Sequence, residues 1–405
     1  MPALQRSLSW PSLAFYGLGN ILGAGIYVLV GKVAGVAGPY TPWAFLIALV
    51  LALFTALSYA ELASRFPFSA GESVYLQEGL GVPFLSVGVG LLIVLAGVLS
   101  SAAIVQSFVA YLEVFVSVPR LPAVAVVVAL LGGVAAWGIS ASVRVAVLFT
   151  VLEIAGLVLV IGAGSGALAQ LPERAAQLRP PLTWDAWHGL LFGALLAFYA
   201  FIGFEDMVNV AEEVKAPERA MPAAIITALA VAAVLYILVA LVAVLAVSPQ
   251  QLAASNAPLA LIYHSATGRA PVLVSVIALF AVINGALIQI IMGSRVLYGL
   301  SAQGWLPPLL SRIHPRRHTP VLATALVAAA VLVLALSFSV QGLAEHTSLV
   351  ILLVFVLVNW SLWRVKRRAP RPAGVRVFPA WVPVAGGLSS AAFVLFELIR
   401  RAAGW

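Results

Sequence analysis

The sequence predicts an all-α polytopic membrane protein: two five-helix blocks inserted in opposite directions, followed by one accessory helix. Three observations lead there. The 405 residues are 63% hydrophobic and 9% charged, with a mean hydropathy of +1.10. The apolar residues gather into eleven runs, each long enough to cross a bilayer. The first and sixth runs are both interrupted in mid-membrane, by GLGNILGAGIY (17–27) and YAFIGFEDMVN (199–209).

A soluble chain carries roughly 25% charged and 45–50% apolar residues, so this one has too little polar surface to face water. A spanning helix needs about 20 mainly apolar residues. The runs at 12–35, 41–63, 83–117, 122–140, 143–168, 188–213, 222–247, 271–301, 318–338, 346–364 and 380–400 meet that length, and Pro, Gly and charged residues mark the gaps. The third and eighth are long enough to tilt strongly or project from the bilayer. Blocks 12–168 and 188–364 are the two expected repeats, 380–400 is the accessory helix, and 1–405 is a single transporter domain. The short polar start, with Arg6 its only charge, has no cleavage signature of a leader peptide.

The net charge is +8. With the N-terminus in the cytoplasm, fifteen of the 22 Lys and Arg residues fall on the cytoplasmic side, among them Arg312, Arg316, Arg317, Arg364, Lys366, Arg367 and Arg368. That bias sets orientation and accounts for the basic balance without a nucleic-acid partner. The expected location is the inner (cytoplasmic) membrane, multi-pass. Cysteine is absent, which removes disulfides, thiolate metal sites and thiol nucleophiles. No metal or other cofactor is expected, and the oligomeric state is not fixed by the sequence.

The interruptions carry the functional expectation. Lipid cannot satisfy free backbone groups, so an unwound segment must line a cavity or ligand site. Five is an odd number, so the second block enters from the opposite side, and paired breaks in inverted repeats point to a transporter's binding site. At such a break one half-helix offers free N–H groups to a carboxylate and the other offers carbonyls to an ammonium or cation. A zwitterionic amino acid has both poles.

Four ordered stretches resemble the amino acid–polyamine–organocation (APC) superfamily of permeases, of the bacterial amino acid permease type. They are GNILGAGIYVLVGKVAGVAGP (19–39), ALSYAELASRFPFSAGESVYLQEGLG (56–81), AFYAFIGFEDMVNVAEEVKAPERAMP (197–222) and SRVLYGLSAQGWLPPLLSRIHPRRHTP (294–320). The resemblance implies a LeuT-type five-plus-five core with broken helices 1 and 6 around the substrate. Members of that superfamily usually have twelve spans, so the count of eleven implies that a terminal helix is missing.

The resemblance implies substrate-binding roles at both breaks. Gly23, Ala24 and Gly25 are expected to bind the substrate carboxylate through backbone N–H groups, and Ile21 and Leu22 to offer carbonyls to the amine. Close helix packing is the other reading, because Gly19 and Gly23 form a small-xxx-small pair. Ile202 and Gly203 are expected to offer carbonyls, and Phe204 to cover the substrate. For Glu205 and Asp206, capping of the second half-helix is preferred to direct substrate contact.

Glu153, in the middle of the fifth run, is the expected ion-coupling residue. A carboxylate at that depth costs at least ~2.5–3.5 kcal/mol and so marks a function: carrying a proton, ligating a cation, or facing a cationic substrate. Several proton-coupled relatives carry a Lys at what looks like this position, and here an acid replaces it. A fixed hydrogen bond to the broken part of helix 1 is the structural alternative. Glu61 and Glu113 lie nearer the interfaces, where a solvated or gate-forming role competes equally with a site role. Glu212, Glu213, Lys215, Glu218 and Arg219 form a charge cluster that reads as a solvated helix end in preference to an inner gate. Asn284, Gln289 and Ser294 serve either the cavity or interhelical hydrogen bonds. The histidines at 188, 264, 314, 318 and 346 read as interfacial, with no metal-ligand spacing.

A membrane enzyme needs a nucleophile–base set or a motif such as HExxH, and neither occurs. A channel needs rings of polar side chains, whereas each run here holds isolated ones. The expected function is secondary active transport of an amino acid or amine, coupled to protons rather than sodium, by alternating access. Exchange of one amino acid or polyamine for another is the alternative, together with a nutrient sensor on the same fold.

Overall fold

In the computed structural model, residues 4–113, 119–255, 257–338, 340–372 and 374–403 are described; the side chains at 24, 28, 110, 111, 113, 139–141, 340–346, 348, 401 and 403, among them Ala24, Glu113, His346 and Arg401, lie outside that set. Apolar runs too long for loops become helices, and glycine, proline or charge ends them. The first run forms α1 (Trp10–Leu22) and α2 (Ala24–Ala37), parted at Gly23. Then follow α3 (Thr41–Arg65), the short α4 (Gly71–Leu80), α5 (Pro83–Glu113), α6 (Arg120–Trp137) and α7 (Ile139–Ala163). Two single turns, α8 (Ser165–Leu168) and α9 (Leu171–Arg174), lead to α10 (Trp184–Phe201), which gives way to a 3-10 segment, Glu205–Glu213. The rest is α11 (Pro217–Ala246), α12 (Pro249–Ala254), α13 (Pro258–Thr267), α14 (Val272–Ala302), α15 (Val321–Ser337), α16 (Val340–Arg368) and α17 (Trp381–Ala403).

The chain is an all-α polytopic membrane protein. Among the described residues nine helical stretches are long and apolar enough to cross a membrane, and Val321–Ser337 is a shorter apolar helix. The first expected span is missing from those nine for a physical reason: Gly23 divides it into halves of 13 and 14 residues. Each of the eleven expected runs thus coincides with a helix or a broken helix. Residues 114–118, the end of the third run, lie outside the described residues.

Packing gathers the spans around the two breaks. Helix α3 lies along α11 and α5 along α14, while α10 packs on α2 and α3, and α1 on α7 and α11. The single β bridge among the described residues, Leu8 with Val214, pins the N-terminus to the end of the 3-10 segment. There Leu8 N–H donates to Glu213 O at 2.9 Å and Lys215 N–H to Leu8 O at 2.8 Å.

This N-terminal face is less solvated than its charges suggest. Glu61 is fully buried: Lys366 Nζ donates to its Oε2 at 2.6 Å, Arg65 Nη2 to its Oε1 at 2.6 Å, and Phe378 N–H to its Oε2 at 2.8 Å. Glu213 and Arg295 are equally buried and pair at 3.0 Å, and Glu212 accepts from Ser69 N–H at 2.9 Å. The expected solvated helix end is therefore corrected for the buried Glu213 and in part for the half-buried Glu212, whereas Lys215, Glu218 and Arg219 are exposed. Burial of Glu61 and Glu213 is tolerated because each meets a cationic donor.

Candidate transport site

Both breaks arise where the backbone leaves helical geometry and the two unwound stretches meet. Gly23 takes φ −44°, ψ −143° between α1 and α2. Ile202 is extended at φ −63°, ψ 140°, and Gly203 follows at φ +130°. A β-carbon on Gly203 would sit 2.8 Å from Asn20 Nδ2 and 3.0 Å from Ile21 N, and one on Gly25 would sit 2.8 Å from Ala200 Cα. The glycines thus let the two unwound stretches touch.

Side chains then fasten one break to the other. Asn20 Nδ2 donates to Gly203 O at 3.0 Å and to Asp206 Oδ2, which also accepts from Gln289 Nε2 at 2.6 Å. Tyr236 on α11 shares its hydroxyl proton between the carbonyls of Ile21 and Ala200. Glu205 Oε2 accepts from Gly203 N–H at 2.8 Å. That bond reaches back across the break rather than forward to the segment Glu205 opens, so it fastens the kink instead of capping the helix that follows.

The breaks enclose a cavity of about 50 Å³, room for a few water molecules. Of the expected residues, Ile21, Gly23, Gly25, Ile202 and Glu205 line it; Leu22, Gly203 and Phe204 do not. Phe204 packs instead against Tyr59 and Phe355, with ring centroids 5.7 and 5.5 Å away. The sequence had no means of choosing between these sides, because an aromatic next to a kink can point either way. Asp206, Tyr199, Ser100, Gln289 and Thr347 add polar groups, and Gly97 and Gly285 leave space.

Polarity differs across the cavity. On one side α2 begins, with the N–H groups of its first turn free of intrahelical acceptors. On the other stand Glu205 and Asp206, 1% and 2% exposed. Ile21 O is already engaged by Tyr236 and Gly203 O by Asn20, so the two acids are the stronger acceptors on that side. Replacing Tyr236 with phenylalanine leaves two buried carbonyls without that donor, at about 1–3 kcal/mol. The expected result is substrate binding roughly tenfold weaker or more with the fold retained, measured as half-saturation of uptake; unchanged affinity would remove Tyr236 from the site's framework.

Glu153 is fully buried and does not line this cavity. Its Oε1 accepts from Asn284 Nδ2 at 2.9 Å, and its Oε2 has no partner among the described residues. The broken helix 1 is met by the Glu153 backbone rather than its carboxylate: Tyr27 Oη on α2 donates to Glu153 O at 2.9 Å, and one turn earlier the Thr150 hydroxyl donates to Phe15 O at 3.1 Å. Asn284 and Gln289 therefore serve different acids, Glu153 and Asp206. No group of three or more potential metal ligands occurs among the described residues.

The chain is similar to known proteins along its length. It is 29% identical, over 100% of its residues, to the branched-chain amino acid permease BcaP of Bacillus subtilis (strain 168), covering 89% of that protein. It is 32% identical, over 88% of its residues, to an uncharacterized transporter of Mycobacterium tuberculosis (strain ATCC 25618 / H37Rv), covering 80% of it. With the mitochondrial cationic amino acid transporter 3 of Arabidopsis thaliana it shares 29% identity over 91% of its residues but spans 63% of that longer protein. A family model described as amino acid permease matches residues 8–402, a stretch that holds both broken helices and every residue around the cavity, and the chain belongs to that family.

Proposed function

We propose that this permease is a secondary active transporter that takes up an amino acid together with protons by alternating access. In this reading it lies in the inner membrane with its N-terminus in the cytoplasm. The observation that carries it is the convergence of both helix breaks on one cavity whose two sides differ in polarity. The substrate carboxylate meets the free N–H groups at Gly23–Gly25, and its ammonium faces Glu205 and Asp206. Binding between two half-helices that belong to different blocks lets one block rock against the other while the site stays assembled. The mirrored packing supports blocks 12–168 and 188–364 as inverted repeats: α10 on α3 matches α1 on α11, and α5 on α16 matches α14 on α7. Residues 380–400 stand outside that symmetry.

Proton coupling draws support from the buried acids that lack a basic partner. Among the described residues Glu153, Glu205 and Asp206 are buried with no Lys or Arg within ion-pair distance. An ionised carboxylate alone at that depth is costly, and a bound proton or a substrate ammonium removes the cost. Glu153 is assigned the proton because it stands outside the cavity, where substrate does not reach it.

Proteoliposomes presented with radiolabelled leucine, arginine and small amino acids, under an inward proton gradient, a sodium gradient or preloaded substrate, test this. Proton-driven accumulation is expected, with at least a tenfold loss in Glu153→Gln. Accumulation driven by sodium alone would overturn proton coupling, and uptake only into preloaded vesicles would make the protein an exchanger.

A further inference from the structure

Beside the transport site, toward the N-terminal face, lies a second polar cluster that substrate binding does not use. Glu72, in the first turn of α4, is 1% exposed. Neither of its carboxyl oxygens has a hydrogen-bond partner among the described residues, and the same holds for Tyr59 Oη, Tyr75 Oη and Asn209 Nδ2 around it. The rings of Tyr59 and Tyr75 are 6.2 Å apart. Asn209 Oδ1 accepts from Gly71 N–H at 3.1 Å, which fixes that amide beside the start of α4. Buried polar atoms are almost always satisfied by protein or by ordered water. Asn209 and Tyr59 both bear on the Glu72 carboxylate without a well-formed hydrogen bond to it, so the five lie close enough for enclosed water to complete them.

This cluster adjoins the acids of the cavity. Tyr59 lies within electrostatic reach of Glu72, Glu205 and Asp206 at once, and its ring packs on Phe204 between them. The groups that bear on Glu72 are Glu205 and Asp206 from the 3-10 segment, Asn209 on the same segment and Tyr59 from α3, with Tyr75 close by on α4 itself. Nearby cations are engaged elsewhere: Arg65 and Lys366 with Glu61, and Arg295 with Glu213. Burial pushes the Glu72 carboxyl up to about 8; its own backbone amide opposes that, the charge of Asp206 adds to it, and the donor groups of Asn209 and Tyr59, too poorly placed for full hydrogen bonds, oppose it weakly. A group with that value both accepts and releases protons near neutral pH.

We propose that Glu72 is a proton relay on the N-terminal side of the transport site, exchanging a proton with the Glu205–Asp206 pair through Tyr59, Asn209 and enclosed water. This rests on the proton-coupled reading of the function. A proton leaves the Asp206 carboxyl, crosses one water or the Tyr59 hydroxyl, and adds to a Glu72 oxygen. Asp206 is left ionised, and Glu72 is neutral until it gives the proton to water beyond α4. Glu72 thus acts on a proton of the Glu205–Asp206 pair, a second one beside that assigned to Glu153, and not on the substrate.

The test compares wild type, Glu72→Gln and Glu72→Asp in proteoliposomes holding a pH-sensitive dye. Proton entry, gradient-driven uptake and exchange into preloaded vesicles are read together. The expected result is that Glu72→Gln loses at least tenfold in gradient-driven uptake and in proton entry but keeps exchange within about twofold, while Glu72→Asp restores part of both. Gradient-driven uptake by Glu72→Gln equal to wild type would overturn the relay and leave proton coupling standing. Wild type that ignores the proton gradient would overturn the coupling reading itself. Equal loss of exchange in both variants would make Glu72 a packing residue and overturn the relay.

Thermal unfolding of the purified protein gives a readout independent of transport. A folded-state value raised above the unfolded one stabilises fully below the unfolded value, and that stability is lost as pH rises through the folded value. Wild type is therefore expected to lose melting temperature as pH climbs from about 4.5 towards and past about 8, and Glu72→Gln to lose less. Identical pH profiles for the two would show that Glu72 is not protonated in the folded protein, and the relay would fall.

Discussion

Gly203→Ala is expected to abolish uptake. At φ +130° the residue occupies a conformation that a side chain rarely adopts, with a strain cost of order 1–3 kcal/mol. The added carbon would also meet Asn20 Nδ2 at 2.8 Å and the Asn20 carbonyl carbon and Ile21 N at 3.0 Å. Two of those three atoms are backbone of the other break, so relief by rotating a side chain is incomplete. The clash pushes the helix 6 break away from helix 1 and lengthens the Asn20–Gly203 hydrogen bond, and with it the anchoring of Asp206. Together these amount to about 3 kcal/mol, roughly a hundredfold in a binding constant. Gly304→Ala is the control: φ is +78° there too, but the position is exposed and its added carbon would meet nothing within 4 Å. Uptake in that variant is expected within about twofold of wild type, measured per folded transporter. Wild-type uptake by Gly203→Ala would mean that the two breaks need not touch for transport.

That contact shows what the sequence could and could not disclose. Both interruptions were legible because the reason for them is local: glycine beside polar residues inside a run that lipid should keep helical. Gly23 and Gly203 stand at the breaks, and five of the nine residues expected around the substrate line the cavity. The fasteners were not legible. Tyr236 lies 215 residues from Ile21 and Asn20 lies 186 from Asp206, and a lone Tyr in an apolar run gives no local sign of its partner. Direction failed in the same way. Phe204 turns to the Tyr59 and Phe355 rings, and Glu205 reaches back to Gly203, because side-chain direction at an unwound stretch depends on neighbours that the sequence does not place.

The charged residues were misplaced for a related reason. Charge near a helix end predicts solvent when only one helix is considered. Here the ends of α3, α14, α16 and the 3-10 segment converge, so Glu61 finds Lys366 from 305 residues away and Glu213 finds Arg295 from 82. Their burial depends on the partner, which is a tertiary fact. The unpartnered acids differ in kind. Among the described residues Glu72, Glu153, Glu205 and Asp206 have no cation within ion-pair distance, and they cluster around the cavity or beside it. Acids held in place by cations stabilise a conformation, whereas acids without them are available to a ligand or a proton. In this chain the division follows the distinction between the closed N-terminal face and the transport site.

The Glu213–Arg295 pair makes the structural half of that division measurable. Both side chains are fully buried, Arg295 Nε donates to Glu213 Oε1 at 3.0 Å, and Arg295 Nη1 donates to Ser294 Oγ at 2.9 Å. Arg295 Nη2 and Glu213 Oε2 are left unsatisfied among the described residues. Removing one partner strands the other charge in a low-dielectric interior, at about 3–5 kcal/mol. Arg295→Met and Glu213→Gln are therefore each expected to lower the unfolding temperature sharply, and further than Tyr236→Phe does. The double variant is expected to recover at least half of the loss, since neither charge then remains. Uptake should not recover with it. The pair joins the 3-10 segment, which carries Glu205 and Asp206, to α14, which carries Gln289, and alternating access has to make and break contacts between those elements. A double variant as unstable as either single one would show that Arg295 acts through packing rather than charge. Recovered stability with wild-type uptake would show that the ion pair takes no part in closing the N-terminal face.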